Sequence, residues 1–200
     1  MEIYEYRGIR GLVAAEVTKD DSTGYTAGTP FAVAGVASLE KQTASSNAVH
    51  YYDNLPAVVI EGQGADTVTI NASAIPLDIV ATLTGQTWTA GKAMLTEGDY
   101  TTKYFALGYI TEDTNGKEVF VWRLKGTFSL GATTHNTKDD GTDAQGQQLT
   151  YTGIATTKAF TLTGKGAKAI NVKDTNTSYT ASSFFAAVLT PDTVTDIPTP

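Results

Sequence analysis

The chain has 200 residues, 34 of them threonine and none cysteine, with 21 acidic and 14 basic side chains for a net charge of −7. That length makes one domain, with or without terminal arms. The acidic balance excludes gripping nucleic acid through its phosphates, and the missing cysteines exclude a disulfide framework, a thiolate metal site and a cysteine nucleophile.

Met1 to Arg10 is charged and mixed, without the apolar run of a signal peptide. No apolar stretch approaches the ~18 residues of a membrane helix, so no membrane partner is expected. The expectation is a soluble protein made and kept in a cytoplasm, or one that leaves by lysis. Threonine is β-branched, which suits a pleated strand, and its hydroxyl tolerates water on the outer face.

Leu12 to Thr18 reads as a first strand, ended by the turn residues Asp20 to Gly24. An extended run covers Phe31 to Ala37. Polar Glu40 to Asn47 leads to strand candidates at Ala48 to Tyr52 and Ala57 to Glu61. Gly62-Gln63-Gly64 reads as a turn. After it Val68, Ile70 and Ala72 share one face and Thr67, Thr69 and Asn71 the other. Pro76 to Leu83 has helical spacing, with Gly85 as its stop. Lys103 to Thr111 and Glu118 to Leu124 form a hairpin through Asn115-Gly116, and the second strand, apolar on both faces, is expected to be central. Gly126 to Leu130 continues the sheet. His135 to Gly146 is an acidic loop. Leu149 to Ala155 and Ala159 to Thr163 are further strands, and Ser182 to Leu189 is a second short helix anchored by Phe184, Phe185 and Val188. The tail to Pro200 is extended. The fold class is mainly β, a single-domain sandwich or barrel with one or two short flanking helices.

No catalytic constellation stands out in the sequence. A nucleophilic site needs a base, and only His50 and His135 are available, one in a strand-like run and one in a polar loop. Two lone histidines do not make a zinc site. Asn136 and Asp140-Gly141 mimic part of a calcium loop, but Lys138 and Gln147 stand where the third and twelfth ligands belong, so a solvated loop is the reading. The glycine groups at Gly62–Gly64 and Gly164–Gly166 match no nucleotide-binding fingerprint. Neither catalysis nor a cofactor is expected.

The order of the pieces carries more. Tyr25-Thr26-Ala27-Gly28-Thr29-Pro30, the run to Val36-Ala37-Ser38-Leu39, aromatic Tyr51-Tyr52-Asp53-Asn54, the glycine-rich Gly62–Gly64 and the strand ending at Ile75-Pro76 follow one another. So do Lys138 to Thr152 and Phe184-Phe185-Ala186-Ala187-Val188-Leu189-Thr190-Pro191. This order resembles the major tail proteins of long-tailed, siphovirus-type phages over nearly the whole chain. The resemblance implies a tail-tube subunit with a tail-tube-type β-sandwich. Such subunits stack as hexameric rings, and the genome passes down the lumen without specific binding. It implies a place in the virion, with partners such as a tape-measure protein and a tail terminator.

On that reading Glu40 to Asn54 is a hairpin or loop reaching a neighbour, with Glu40, Ala44, Ser45, Ser46, Asn47, Tyr51, Tyr52 and Asp53 as candidate contacts; its bland alternative is an ordinary surface hairpin. Glu61, Asp66, Asp113 and Glu118 are candidate lumen acids, since an acidic wall repels phosphate. Thr190 to Pro200, with Pro191, Asp192 and Pro198, is an inter-subunit arm or a free end. Two other classes remain open: a β-sandwich adhesin or carbohydrate-binding module using Tyr4, Tyr6, Tyr51 and Tyr52, and another virion protein such as a head–tail connector.

Overall fold

The computed structural model describes residues 4–98, 100–131, 133, 135, 137 and 145–197. Five strands come first: β1 (Tyr6–Asp21), β2 (Gly24–Ala27), β3 (Phe31–Ala32), β4 (Val36–Tyr52) and β5 (Leu55–Ala72). Helix α1 (Leu77–Thr84) and a small hairpin of β6 (Thr87–Thr89) and β7 (Met94–Thr96) follow. Then come β8 (Phe105–Asp113), β9 (Glu118–Leu130), β10 (Gln147–Gly153), β11 (Ala169–Lys173) and helix α2 (Ala181–Phe184). The fold is mainly β with few short helices.

Nine strands make one antiparallel sheet in the order β2-β1-β8-β9-β10-β5-β4, with β3 also on β1 and β11 also on β9. The two ends of this order are tied together. β3 pairs with β1 at Val13 and Ala14, and β4 begins after only Val33–Gly35. The sheet therefore rolls into a barrel whose seam is this short segment, held by Val33 N–H on the Leu12 carbonyl (3.1 Å) and Ser73 N–H on the Gly35 carbonyl (2.8 Å).

Period-two alternation fills the barrel. Leu12 and Ala14, Val68 and Ile70, Leu107 and Tyr109, and Leu149 and Tyr151 point inward, and α1 adds Val80 and Leu83. A second core lies on the outside of β8 and β9, where Ile110, Phe120, Trp122 and Leu124 meet Phe160, Val172 and Phe184. A bulge lets β9 serve both. Its register slips between Phe105↔Gly126 and Leu107↔Arg123, so Val121 faces inward before the extra residue and Phe128 after it. The central place expected for this strand is the observed one, and the Asn115-Gly116 turn and α1 stand where the sequence puts them, α1 shifted by one residue.

Four expectations are corrected. The second helix shrinks to α2, because the Phe184 carbonyl accepts from the Trp122 indole N–H (3.2 Å), which turns it toward the core. Ala159 to Thr163 is a turn, closed by Gly164 N–H on the Phe160 carbonyl (2.8 Å) with Gly164 at φ 66. Phe31 to Ala37 is broken by the seam. Gly62-Gln63-Gly64 is strand, not turn: a register slip there (Thr43↔Asp66, then Ser45↔Gln63) marks a bulge in β5. The strand β11 has no counterpart in the sequence reading. Of the partial calcium loop from Asn136 to Gln147, Asn136 and 138–144 lie outside the described residues, and Gln147 opens β10.

Candidate functional site

β4 and β5 pair from Val36↔Ala72 to Tyr52↔Leu55, but β5 meets β10 only over Asp66–Ala72. Beyond Asp66 the two strands leave the barrel as a free ribbon. Ten residues, Leu55 to Gly64, extend it roughly 30 Å. Its tip is Asp53-Asn54, both left-handed (φ 52 and 63), the backbone of a two-residue turn whose twist matches the strands. All of Glu40 to Gly64 is exposed.

Register assigns the ribbon's two faces. Ala48–Ile60, His50–Val58 and Tyr52–Leu55 lie on one side; Asn47–Glu61, Val49–Val59 and Tyr51–Pro56 lie on the other. Both faces are apolar near the tip, a pattern of strands buried on two sides. Yet Tyr51, Leu55 and Val59 are 66%, 67% and 58% exposed. The candidate contacts from Glu40 to Asp53 all sit on this ribbon. The sequence reading missed Val58, Val59 and Ile60 as its apolar partners, although their run of three was visible.

A second feature lies on the outer face of β4, β5, β10 and β9. The register aligns Gln42, Thr67, Thr152 and Thr127 in one row and Glu40, Thr69, Thr150 and Ser129 in the next. A third row is hydrogen-bonded, Asn71 Nδ2 to Ser38 Oγ (2.8 Å) and Gln148 Nε2 to Asn71 Oδ1 (3.4 Å). These rows contain hydroxyls, amides and one carboxylate, and neither Lys nor Arg. The opposite parity, with Val68, Ile70, Leu149 and Tyr151, fills the barrel. Five of the 34 threonines, Thr67, Thr69, Thr127, Thr150 and Thr152, stand on this wetted wall.

The four candidate lumen acids separate. Glu61 is exposed on the ribbon. Glu118 pairs with Arg10. Asp66 is buried, bonded by Arg123 (2.8 Å) and Lys168 (3.2 Å). Burial pushes its carboxyl up, but the Thr43 hydroxyl, Lys168 and the Lys41 charge outweigh that and hold it below the usual carboxylate range. Asp113 is buried too, accepting the Asn115 and Lys117 N–H groups at the hairpin turn. Asp66 and Asp113 are therefore largely enclosed within their own domain, which counts against them as acids of an exposed wall.

The C-terminal segment is also corrected. It lies along its own domain: Asp192 accepts the Thr161 and Leu162 N–H groups (2.9 Å each), Asn176 donates to the Thr195 carbonyl (2.8 Å), and Val188, Leu189 and Val194 pack on the outer core. Thr190 is buried and Pro191 half-buried. Pro198 lies outside the described residues. Limited proteolysis of the unassembled protein is expected to cut the ribbon near Gly62–Gly64 first and to leave Thr190–Asp196 intact; early release of the C-terminal peptide would contradict this docking.

His50 and His135 are both exposed, and no group of three or more metal-ligating side chains occurs among the described residues. Tyr51 and Tyr52 point to opposite faces of β4, and Tyr4 and Tyr6 stand at the start of β1, so the four tyrosines are split among separate surfaces. No family model and no curated protein matches the chain.

Proposed function

We propose that this chain is a structural subunit that polymerises into stacked hexameric rings, the tail tube of a long-tailed phage. The observation that carries the reading is the ribbon. Seven exposed apolar side chains (Val49, Tyr51, Tyr52, Leu55, Val58, Val59 and Ile60) cluster at its end, on both faces. A two-stranded ribbon alone in water is marginal, and such a patch marks an interaction site. A neighbouring copy that covers the ribbon supplies what its own barrel does not. Head-to-tail contacts between different patches build rings, and β4's unpaired edge offers a further place for a neighbour.

The hydroxyl wall supports the same reading from the other side. A conduit for DNA must let phosphates slide past, and a surface of Thr, Ser, Gln and Asn with a single carboxylate gives them no cation to hold. In this reading that wall faces the bore, and the ribbons knit the rings together.

Negative-stain electron microscopy of the purified protein, followed over a concentration series, tests this directly. Tubes or six-fold rings are the expected result. A protein that stays monomeric at every concentration, with its ribbon intact, would sink the proposal.

A further inference from the structure

The barrel seam is closed by β3 only at Val13 and Ala14. Away from that point Tyr6–Ile9 of β1 and Ala37, Ser38, Leu39 and Lys41 of β4 line a cleft of about 1120 Å³, floored by the inward-facing Tyr109, Val121 and Arg123. Its charge is opposite to that of the chain. Arg7, Lys41, Arg123 and Lys173 line it, and no described lining residue is Asp or Glu, although acids outnumber bases in the sequence by 21 to 14.

The charges at the floor do not balance. Arg123 has a side chain only 7% exposed, and Lys168 sits beside it; both are paired to the one carboxylate of Asp66. Lys41 brings a third positive charge to the same carboxylate. The Arg123 Nε–H is buried and meets no acceptor among the described residues, while its other nitrogens serve Asp66 and the Tyr109 hydroxyl. Arg7, Lys41 and Lys173 have no ion-pair partner among the described residues. Guanidinium and ammonium groups gathered in a cleft with partly apolar walls recognise oxyanions through charge-assisted hydrogen bonds.

We propose that the open seam is an oxyanion-binding site, taking a phosphate or carboxylate group between Arg7, Lys41 and Lys173 above the Arg123–Asp66 pair. The site stands without the tube reading. Its natural occupant is either a free organic anion or a carboxylate of a second copy of the chain, and the same chemistry serves both.

Calorimetric titration of the purified protein with pyrophosphate and with citrate at low ionic strength tests the site. Saturable one-site binding is expected, weakened about tenfold in the Lys41→Ala/Lys173→Ala variant and relieved by added salt. The Lys92→Ala/Lys165→Ala variant makes the same change in net charge at exposed positions off the cleft and is expected to bind like the unaltered chain. Sedimentation velocity separates the two sources. If pyrophosphate dissociates assemblies and Lys41→Ala/Lys173→Ala weakens them, the occupant is the second copy's carboxylate. If assembly is indifferent to both while titration shows binding, the occupant is a free anion. No saturable heat with either anion, or equal affinity in the two double variants, overturns the site. A chain that binds anions but forms no rings would count against the tube alone.

Discussion

A chain in which Asn47–Glu61 is replaced by Asn-Gly is expected to fold normally and to form neither rings nor tubes. Ser46 and Gly62 face each other in the ladder, so a two-residue turn can close the shortened ribbon without changing register. The excised residues contribute nothing to either core. Melting temperature and near-ultraviolet dichroism should therefore match the unaltered chain. Assembly should not. Half-exposed apolar side chains contribute about 1–2 kcal/mol each when covered, and seven of them come to roughly 10 kcal/mol for one ribbon. That is comparable to the ~4–15 kcal/mol lost in orienting one subunit on another. The ribbon thus sits at the margin between association and none. Electron microscopy and sedimentation would read the result, and ordinary tubes from the excised chain would show that the ribbon is only a surface hairpin.

Breaking the buried pair beneath the seam is expected to cost about 3–5 kcal/mol from either side. Arg123→Ala leaves Asp66 with the partly exposed Lys168 as its remaining ion pair, and Asp66→Ala strands a guanidinium that is nearly closed off from water. For a domain of this size the loss appears as a melting temperature lower by about 10 °C. A combined Arg123→Met/Asp66→Leu exchange should recover part of it, because removing both charges abolishes the desolvation cost. Equal stability of the single variants and the parent would mean the pair is solvated.

The same pair predicts a pH dependence, together with Asp20. Burial raises the Asp20 carboxyl, and it is then drawn below its ordinary value by Lys125 (2.6 Å) and the Thr157 and Lys158 N–H groups. Both Asp20 and Asp66 have folded pKa values below the unfolded value of 3.8. Their contribution is complete above that value and is lost as pH falls from there through the lower folded pKa. Denaturation midpoints should accordingly be flat near neutrality and drop steeply under acid, with a shallower drop in Asp66→Asn.

Period-two alternation made the class, the Asn115-Gly116 hairpin and the central strand readable, because those signals are local. The fate of single acids was not. Glu61 and Asp66 lie five positions apart on one strand, yet one is bathed in solvent and the other enclosed, since β10 arrives only at Asp66. A hint did exist: Asp66 is in phase with Val68 and Ile70, the inward-facing set. The ribbon was half legible. Its polar stem and aromatic tip were seen as reaching outward, but the pairing that puts Val59 opposite Val49 belongs to the register. The end of α2 and the turn at Phe160 depend on Trp122 and Asp192, partners distant in sequence that no local propensity reveals.

The rolled sheet also dictates when a newly made chain can finish folding. β4 and β5 are neighbours in sequence and can pair as soon as both exist, whereas β1 must wait for β8 and β5 for β10. Pairings between distant segments are slow to form. The outer faces of β8 and β9 stay bare still longer, because Phe160, Val172 and Phe184, which cover Trp122 and Phe120, come last. For that interval the nascent chain carries an early, sticky hairpin and an unfinished barrel. Encounters between ribbons of neighbouring nascent chains would then compete with closure, so slower synthesis or lower temperature should raise the yield of soluble protein.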